Sequence, residues 1–320
     1  MNAPGTCALK PRRIDIGVCT FRRKELEDTL RSLGALTIPP DTMLRAIVAD
    51  NDAVPSARGL VYALASQLPF DLVYVHCPAA NISLARNACL ESSNGDFLAF
   101  IDDDSTASPA WLAELLKVAD ATGADAVLGP VRAVYGPGAP GWMSQGDFHS
   151  TTPVFVKGQI RTGYSGNVLL RCASPYVAGR RFNLARGRSG GEDTEYFARL
   201  HRAGGTIAYA PDAVVVEPVP SERARLSWLL KRRFRVGQTH GRLLGELQQT
   251  RRPLPQAGLA FAKAAYCFAA AAASAISAEQ RNRFGLRGVM HIGAVSGILG
   301  AQEIEQYGKR QPAGERGNAA

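Results

Sequence analysis

Three consecutive aspartates, Asp102, Asp103 and Asp104, follow an uninterrupted apolar run at 97–101. Such a run is typical of a strand that is buried on both faces of a parallel sheet. Adjacent carboxylates repel one another unless a positive charge lies among them, and Mg²⁺ and Mn²⁺ favour carboxylate and phosphate oxygens. The pattern therefore predicts a divalent-cation site at the end of a strand. The alternative is a solvated acidic turn before a helix that Pro109 would open.

Strand-like and helix-like segments alternate through the first half of the chain. The predicted strands are 14–20, 44–52, 72–76 and 97–104, and the predicted helices are 23–36, 56–68, 82–93 and 109–121. This alternation indicates an α/β fold with a parallel, doubly wound sheet. Because ligands bind at the carboxyl ends of such strands, 20–23, 50–52 and 102–104 should meet at one edge. No Gly-x-Gly-x-x-Gly follows the first strand, which argues against a dinucleotide-binding protein.

A second acidic pair, Glu192 and Asp193, stands at the start of a predicted helix. It follows a glycine- and arginine-rich stretch, 179–191, that is typical of a mobile loop. Acids in a first helical turn usually interact with the helix dipole, but the two preceding glycines would let the backbone bring Asp193 close to a ligand. Upstream, Trp142 lies in a glycine- and proline-rich loop, where it either packs or offers a sugar-stacking surface. Further strands are predicted within 164–171 and at 206–217.

Composition limits the class of protein. The 320 residues carry a net charge of +9, and 46% of them are hydrophobic, as in a folded globular protein. The charge is concentrated in 221–252, where nine Lys or Arg and two Glu give a net +7. Nucleic-acid binding by a generally basic surface is therefore not the simplest interpretation. The cysteines form no Cys-x-x-Cys pair and the N-terminus has no secretory apolar core, which favours a reducing, cytoplasm-facing location.

A helical appendage is predicted after residue 220. The apolar residues of 221–252 share one face of a basic helix, which suits an anionic membrane surface or a phosphate leaving group. Residues 257–278 contain twelve alanines and one charge, Lys263, and 289–301 contains the small-residue pattern Gly293-Ala-Val-Ser-Gly297. Only the first of these two stretches reaches the ~20 residues of a membrane span. We expect a helical hairpin in the membrane interface; the alternative is a soluble helical cap.

Five motifs in order resemble those of the family 2 inverting glycosyltransferases, over about residues 12–245. The segments that carry the resemblance are Val-Cys-Thr-Phe-Arg-Arg at 18–23, Ala-Asp-Asn-Asp at 49–52, Asn-Ile-Ser-Leu-Ala-Arg-Asn at 81–87, the Asp-x-Asp region with its Pro-Ala-Trp-Leu at 100–112, and Gly-Gly-Glu-Asp-Thr-Glu at 190–195. Together with the basic helix and the apolar tail, they are similar to exopolysaccharide glucosyltransferases of the succinoglycan type.

The resemblance implies a GT-A fold, with a Rossmann-like, mostly parallel sheet flanked by helices, and a Mg²⁺ or Mn²⁺ ion. The residues that it assigns to the nucleotide are Thr20, Phe21, Arg23, Asp50, Asn51, Arg86, Asp102 and Asp103, with Phe21 stacking on the base. Asp104 and Asp102 would bind the metal ion, and Asp193 would deprotonate the acceptor hydroxyl. The residues expected on the acceptor side are Trp142, Asn167 and Glu192.

One departure from the family pattern bears on the product. No Gln-x-x-Arg-Trp motif is present, and residues 231–237 stand where processive members carry it. This favours the transfer of a single sugar. The expected donor is a UDP-sugar, and the expected acceptor is a lipid-linked saccharide. We expect the protein at the cytoplasmic face of a bacterial inner membrane, peripheral or monotopic, with a membrane surface but no nucleic acid as partner.

The resulting division of the chain has five parts. These are a disordered N-terminus at 1–12, a GT-A catalytic domain at 13–220, the basic amphipathic helix at 221–252, an apolar helical hairpin at 253–305 and a disordered tail at 306–320. Two other functions stay open. A sugar nucleotidyltransferase would normally carry a glycine-rich triphosphate loop after the first strand, and a non-catalytic glycan-binding protein at a membrane surface would release no UDP from UDP-sugars.

Overall fold

A computed structural model describes residues 11–248, 253–302 and 304. The predicted disordered segments therefore lie outside the described residues, apart from Pro11 and Arg12. Arg12 already belongs to the first strand, so the ordered chain begins earlier than expected.

The described elements alternate as predicted up to residue 122. The strands are β1 (Arg12–Thr20), β2 (Thr42–Asp50), β3 (Asp71–His76), β4 (Phe97–Asp102), β5 (Thr106–Ala107), β6 (Ala126–Leu128), β7 (Val131–Tyr135), β8 (Phe155–Val156), β9 (Gln159–Ile160), β10 (Asn167–Arg171), β11 (Ile207–Tyr209) and β12 (Val215–Val219). The helices are α1 (Leu26–Gly34), α2 (Arg58–Ala65), α3 (Ile82–Ser92), α4 (Trp111–Thr122), α5 (Gly141–Gly146), α6 (Glu192–Arg202), α7 (Leu226–Gln248), α8 (Pro253–Ala273) and α9 (Ala278–Ile298), with a 3-10 turn at Leu184–Arg186.

A seven-stranded sheet forms the centre, in the order β11-β6-β10-β4-β1-β2-β3. β1 to β4 are mutually parallel where they pair, as the βα alternation predicts. β10 lies antiparallel between β4 and β6, so the sheet is mixed at this side. The single strand expected at 206–217 is in fact two, since β11 joins the large sheet and β12 joins a small sheet with β5 and β7.

β4 is the middle strand of this sheet and is buried on both faces. Its side chains alternate between two apolar clusters, as the period of a strand requires. Phe97, Ala99 and Ile101 pack in the cluster that α1 and α4 cover, and Leu98 and Phe100 pack in the cluster that α3 and α6 cover. The predicted doubly buried strand is confirmed, and α3 and α6 lie on the same face of the sheet.

The C-terminal helices pack through glycines. Gly293 of α9 lies against the backbone of Phe234 in α7, and Gly297 lies against that of Gln238. Because both contacts advance together along the chain, α7 and α9 run parallel. Gly237 and Gly241 of α7 meet the α9 backbone in the same way, and a Cβ atom at any of these four glycines would collide with it. The small-residue pattern of α9 thus finds its partner in the basic helix, and α9 is not simply half of a hairpin with α8.

A third apolar cluster joins these helices to the rest of the chain. Met143 and Phe148, in and after α5, pack against Leu229 of α7 and Leu286 of α9. Arg283 donates to the carbonyl of Gly146 at 2.9 Å. Among the helices in the described part of the chain, none has a stretch that is long and apolar enough to cross a bilayer.

We predict that Gly293→Ala lowers the free energy of unfolding by about 1–3 kcal/mol, because overpacking a tight contact forces the backbones apart. The matched control is Gly285→Ala on the same helix, where an added Cβ meets nothing within 4 Å. That change should raise the free energy of unfolding by about 0.5–1 kcal/mol through helix propensity alone. Urea denaturation measures both, and equal effects of the two substitutions would contradict the close α7–α9 contact.

Candidate functional site

The strand register brings three polar strand ends to one edge. Thr20 at the end of β1 pairs with Asp50 at the end of β2, and Cys19 pairs with Asp102 at the end of β4. The predicted meeting of these segments is therefore confirmed. A cavity opens beside the end of β1, and its lining includes Thr20, Arg23 and Ser56.

The three aspartates point to different partners. Asp102 faces Arg86, with an oxygen 3.8 Å from the guanidinium, and it also lies against the backbone of Gly166. Asp103 is buried beside Thr20, with Arg23 at 3.8 Å. Asp104 faces Arg23 at 3.3 Å and a residue from far along the chain, Arg223, at 3.7 Å. Arginines thus supply the positive charge that the triplet requires.

A fourth carboxylate, Glu217 of β12, faces the same edge. Burial and the charges of Asp104 and Asp102 raise the pKa of Glu217 to about 7. Burial and Asp104 likewise raise the pKa of Asp103 to about 7. Burial and the neighbouring carboxylates thus both disfavour ionisation at this edge, and the arginines only partly offset them.

Asp102 and Asp104 are the candidate ligands for a divalent cation at this strand edge. In the described part of the chain, no three His, Cys, Asp or Glu side chains are grouped closely enough to hold a metal ion by themselves. Mg²⁺, however, commonly uses one or two protein carboxylates and completes its coordination with substrate phosphates and water. Burial raises the pKa of Asp102, and so does the neighbouring charge of Asp104. These two carboxylates fit a cation that arrives with a diphosphate.

Arg86 of α3 joins the strand edge to the start of α6. Its side chain is buried and forms an ion pair with Glu192, which is also buried, while its other nitrogen faces Asp102. Asp193 lies within electrostatic range of both Arg86 and Asp102, since it raises the pKa of each. Asp102 and Asp193 therefore lie near the same buried arginine, and neither residue is fully buried. That the two carboxylates share a cleft stays a prediction. Arg86 is engaged by protein carboxylates, and its expected contact with the nucleotide stays a prediction.

Asn87, next to Arg86, fixes the segment that precedes α6. Its amide donates to the carbonyl of Phe182 at 2.9 Å and accepts from the Phe182 N–H at 2.7 Å. The Phe182 ring stacks on Tyr196 of α6 at 4.3 Å between centroids. The Arg-Asn pair of α3 thus positions both the acidic end and the body of α6. The stretch predicted as a mobile loop is bonded to α3 here and at Asn81 and Ser83.

Two glycines set the direction in which α6 begins. Gly190 and Gly191 have φ values of +84° and +85°, which only glycine adopts without strain. A Cβ atom at Gly191 would also collide with Thr239 of α7. The predicted role of the glycine pair in placing Asp193 is consistent with both observations, and α7 supports the turn from behind.

The residues predicted for the nucleoside divide into two groups. Asp50 is fully buried, and its carboxylate accepts from the backbone N–H groups of Asp52 and Ala57 and from the hydroxyl of Tyr74. It therefore organises the loop after β2 in this structure, and its expected contact with a nucleoside stays a prediction. Asn51 is also buried, and it accepts from the N–H of Asn81 at 3.2 Å.

Phe21, by contrast, is 41% exposed at the strand edge, so its stacking on a base stays a prediction. The next residue, Arg22, belongs to the predicted strand-end segment 20–23, but its partner was not predicted. It has a φ of +54°, unusual for a residue with a side chain, and forms a two-pronged ion pair with Asp52 at 2.7 and 2.8 Å. This ion pair, which lowers the pKa of Asp52, clamps the β1 and β2 loops together.

Two residues predicted on the acceptor side are structural. Asn167 is fully buried, donates to the carbonyls of Pro130 and Ala213, and accepts from the indole N–H of Trp111. Both of its N–H groups and its amide oxygen are bonded within the protein, so its position supports a structural role, and its expected place on the acceptor side stays a prediction. Trp142 lies in α5, not in a loop, and packs edge-to-face on Phe148 at 5.1 Å. Glu192, the third residue of this set, is paired with Arg86.

Arg223 and His149 were also missed by the sequence analysis. Arg223 pairs with Glu217 at 2.9 Å and extends to Asp104. The buried His149 contacts the carbonyl of Arg223 through Nε2 at 3.0 Å and the hydroxyl of Tyr135 through Nδ1. Burial lowers the pKa of His149, so its neutral form is favoured and Nε2 carries the proton donated to Arg223. No local signal in the sequence indicates this network, because its members come from distant segments.

Comparisons with known proteins agree with this geometry. The Glycosyl transferase family 2 profile matches residues 15–185. The chain is 60% identical over 298 residues to the succinoglycan biosynthesis protein ExoM of Rhizobium meliloti, covering 93% of this chain and 96% of that protein. It is 25% identical over 253 residues to the glucosyl-dolichyl phosphate glucuronosyltransferase of Haloferax volcanii, covering 70% of this chain and 75% of that protein.

Solved structures share the fold at low identity. The mannosyltransferase PcManGT from Pyrobaculum calidifontis, in complex with GDP-Man and Mn²⁺, superimposes with a TM-score of 0.61 at 20% identity and covers 91% of this chain and 88% of its own. TarS 1–349 from S. aureus, in complex with UDP-GlcNAc, superimposes with a TM-score of 0.52 at 15% identity and covers 93% and 99%.

The fold, with its mixed central sheet, flanking helices and polar strand edge, is therefore of the GT-A type. This chain belongs to glycosyl transferase family 2 and is a glycosyltransferase. Membership of this family argues against both alternatives, a sugar nucleotidyltransferase and a non-catalytic glycan-binding protein.

The raised carboxyl pKa values predict a pH-dependent response to cation and nucleotide. Because the pKa values of Asp103 and Glu217 are raised to about 7, these carboxyls stabilise the free protein below pH 4, and that contribution is lost as the pH rises through 7. A bound cation offsets the repulsion. The rise in melting temperature produced by Mg²⁺ with UDP should therefore be larger at pH 8 than at pH 6.

The matched control for this measurement is Glu217→Gln, which removes one of the two titrating carboxyls. Its melting-temperature shift should depend less on pH than that of the wild type. Identical shifts at pH 6 and pH 8 in the wild-type protein would contradict the raised pKa values of Asp103 and Glu217.

Proposed function

We propose that this glycosyltransferase moves a single sugar from a UDP-hexose to a hydroxyl group of a lipid-linked saccharide, with inversion at the anomeric carbon. The observation that carries the proposal is buried Arg86, which faces Asp102 at the strand edge and pairs with Glu192, the neighbour of Asp193, at the start of α6. The strand edge and the start of α6 would form the two walls of a substrate cleft. A donor on the strand edge and an acceptor base opposite it are the two parts that in-line displacement requires.

Each wall of the cleft has its own task. Thr20, Phe21 and Arg23 lie where a nucleoside and its phosphates would bind, with Phe21 exposed for stacking. Arg23 and Arg223 face Asp104 and would offset the charge of a departing nucleoside diphosphate. Asp193 would accept the proton of the acceptor hydroxyl, while its neighbour Glu192 is held by Arg86 and keeps the helix start in place.

Asp102 and Asp104 would hold Mg²⁺ or Mn²⁺. When bound, the cation would act as a Lewis acid on the leaving diphosphate. The donor set supports this assignment, since both carboxylates lie at the strand edge and the charge of Asp104 raises the pKa of Asp102, after burial. The Mn²⁺ and GDP-Man in the PcManGT complex are consistent with a metal-dependent donor site in this fold.

The relatives support the choice of substrates. ExoM is a succinoglycan biosynthesis protein, and the extent of the likeness supports a role in exopolysaccharide synthesis for this chain. The Haloferax relative acts on glucosyl-dolichyl phosphate, which supports a lipid-linked acceptor. The UDP-GlcNAc complex of TarS supports a UDP-sugar donor. With an acceptor of this kind, the enzyme would work at the cytoplasmic face of the inner membrane.

Asp193→Asn should lower the rate of sugar transfer by about 10²–10⁴-fold, because a positioned base contributes that much. The change keeps the oxygen that accepts from the Thr194 N–H, so α6 should still begin normally. UDP binding, measured by calorimetry, should change little. The control is Asp212→Asn, an equivalent change at an exposed residue. Full transfer by the Asp193 variant would remove this residue from the role of base.

Asp104→Ala should weaken UDP binding only when the divalent cation is present. The substitution removes a carboxylate that would hold the cation, and it also releases Arg23 and Arg223 to contact the diphosphate directly. Calorimetric titration of UDP with and without Mn²⁺ should therefore show a smaller gain from Mn²⁺ than in the wild type. An unchanged gain would count against Asp104 as a metal-ion ligand.

A further inference from the structure

The helix α8 has an exposed apolar face. Along the chain from Pro253 to Ala273 it carries one charged residue, Lys263. Leu254, Phe261 and Phe268 are seven residues apart and form one exposed stripe, and Leu259 and Tyr266 form a second. Phe261 is 61% exposed and Tyr266 is 71% exposed. A continuous apolar patch of this kind marks an interaction site on a soluble domain.

The opposite side of α8 explains why this face is left open. Ala257, Ala260, Ala264 and Cys267 are buried at helical spacing and form the side that packs on α9. These small side chains bring the two helices close together. Leu254, Leu259, Phe261 and Tyr266 are left exposed, and Phe268, at the end of its stripe, also packs over Gly288 of α9. If α8 were only a cap for α9, the larger apolar residues would be expected on the buried side.

Cationic groups border the apolar face. Lys263 lies one turn from both Leu259 and Tyr266, so it flanks the second stripe. It is close to His240 of α7 and His291 of α9, because its charge contributes to lowering the pKa of each, after burial. Arg287 contributes in the same way at His291. Among the described residues, none of the acidic side chains pairs with Lys263 or Arg287.

The segment that contains α8 and α9 carries a net positive charge. Residues 253–302 contain four Lys or Arg and one Glu, a net +3. Ile276, in the turn between α8 and α9, is fully exposed, and the guanidinium of Arg281 donates to the adjacent carbonyl of Ala275 at 3.3 Å. The turn therefore combines an exposed apolar side chain, Ile276, with a nearby cation, Arg281, as α8 combines its apolar stripes with Lys263.

We infer that the exposed face of α8, from Leu254 to Phe268 and bordered by Lys263, docks on the surface of a bilayer that contains anionic phospholipid. The apolar stripes would enter the boundary between headgroups and acyl chains, with the helix in the plane of the membrane, and Lys263 would meet lipid phosphates. The inference deepens the membrane location in the proposed function by naming the surface and the lipid charge that it recognises.

Charge decides between a bilayer and a second copy of the chain. In a two-fold symmetric dimer through α8, the same patch meets itself, so the cations that border it would be brought together with those of the other copy. Anionic headgroups instead complement them, at a gain of about fivefold in binding for each Lys or Arg near the surface. The face therefore suits a lipid surface better than itself.

Vesicle co-sedimentation of the full-length protein tests the inference. Wild-type protein should bind vesicles of phosphatidylcholine with phosphatidylglycerol, and it should bind pure phosphatidylcholine more weakly. The double substitution Phe261→Glu with Tyr266→Glu should weaken binding to the anionic vesicles by more than about tenfold, and Lys263→Ala should weaken it by about fivefold. Val154→Glu, at a residue that is 69% exposed outside the C-terminal helices, is the matched control and should bind as the wild type does.

Two further measurements separate the outcomes. Release of UDP from UDP-sugars in solution should be the same in all these variants, so a loss of vesicle binding cannot be mistaken for a failure of the donor site. Light scattering gives the oligomeric state. The inference is overturned if the wild-type protein does not bind the anionic vesicles, or if the double variant binds them as tightly as the wild type does. It is also overturned if the wild-type protein is a dimer that does not bind vesicles and the double substitution dissociates this dimer.

Discussion

The buried ion pair between Arg86 and Glu192 is the interaction on which the site depends. A guanidinium and a carboxylate removed from water cost free energy unless each satisfies the other, and breaking such a pair costs about 3–5 kcal/mol. Arg86 also faces Asp102, so one side chain connects the end of β4 to the first turn of α6. Neither wall of the cleft can move far without exposing an unpaired buried charge. The geometry between donor side and acceptor side is thereby held before any substrate arrives.

Much of the remaining structure supports this pair. Asn87 and Phe182 fix the approach to α6, and Gly191 allows its sharp entry against Thr239 of α7. The same helix, α7, begins three residues after Arg223, whose guanidinium faces Asp104 at the strand edge. Facing glycines hold α7 in close contact with α9. The C-terminal helices therefore pack behind the start of α6, and they leave one face of α8 exposed to solvent.

Local pattern predicted the parts of the fold that depend on short-range order. The run at 97–101, the βα alternation and the glycines before Asp193 each carried a local signal, and each is found in the structure. The antiparallel insertion of β10 depends on long-range pairing and had no such signal. Polar residues at strand ends look alike in sequence, so the buried, bonded roles of Asp50 and Asn167 could not be told from ligand contacts. The positions of Glu217 and Arg223 near Asp104 could not be predicted from local sequence, because these residues approach Asp104 only in the folded chain.

A double-mutant cycle on the free energy of unfolding tests the central ion pair most directly. The variants are Arg86→Met, Glu192→Leu and the combination, with urea denaturation as the measurement. Arg86→Met leaves the buried Glu192 without its partner, Glu192→Leu leaves Arg86 with only Asp102 at 3.8 Å, and the combination removes both buried charges. The account predicts that the two single effects exceed the combined effect by at least about 2 kcal/mol. Effects that add to within about 0.5 kcal/mol would show that the two residues act independently and would contradict it.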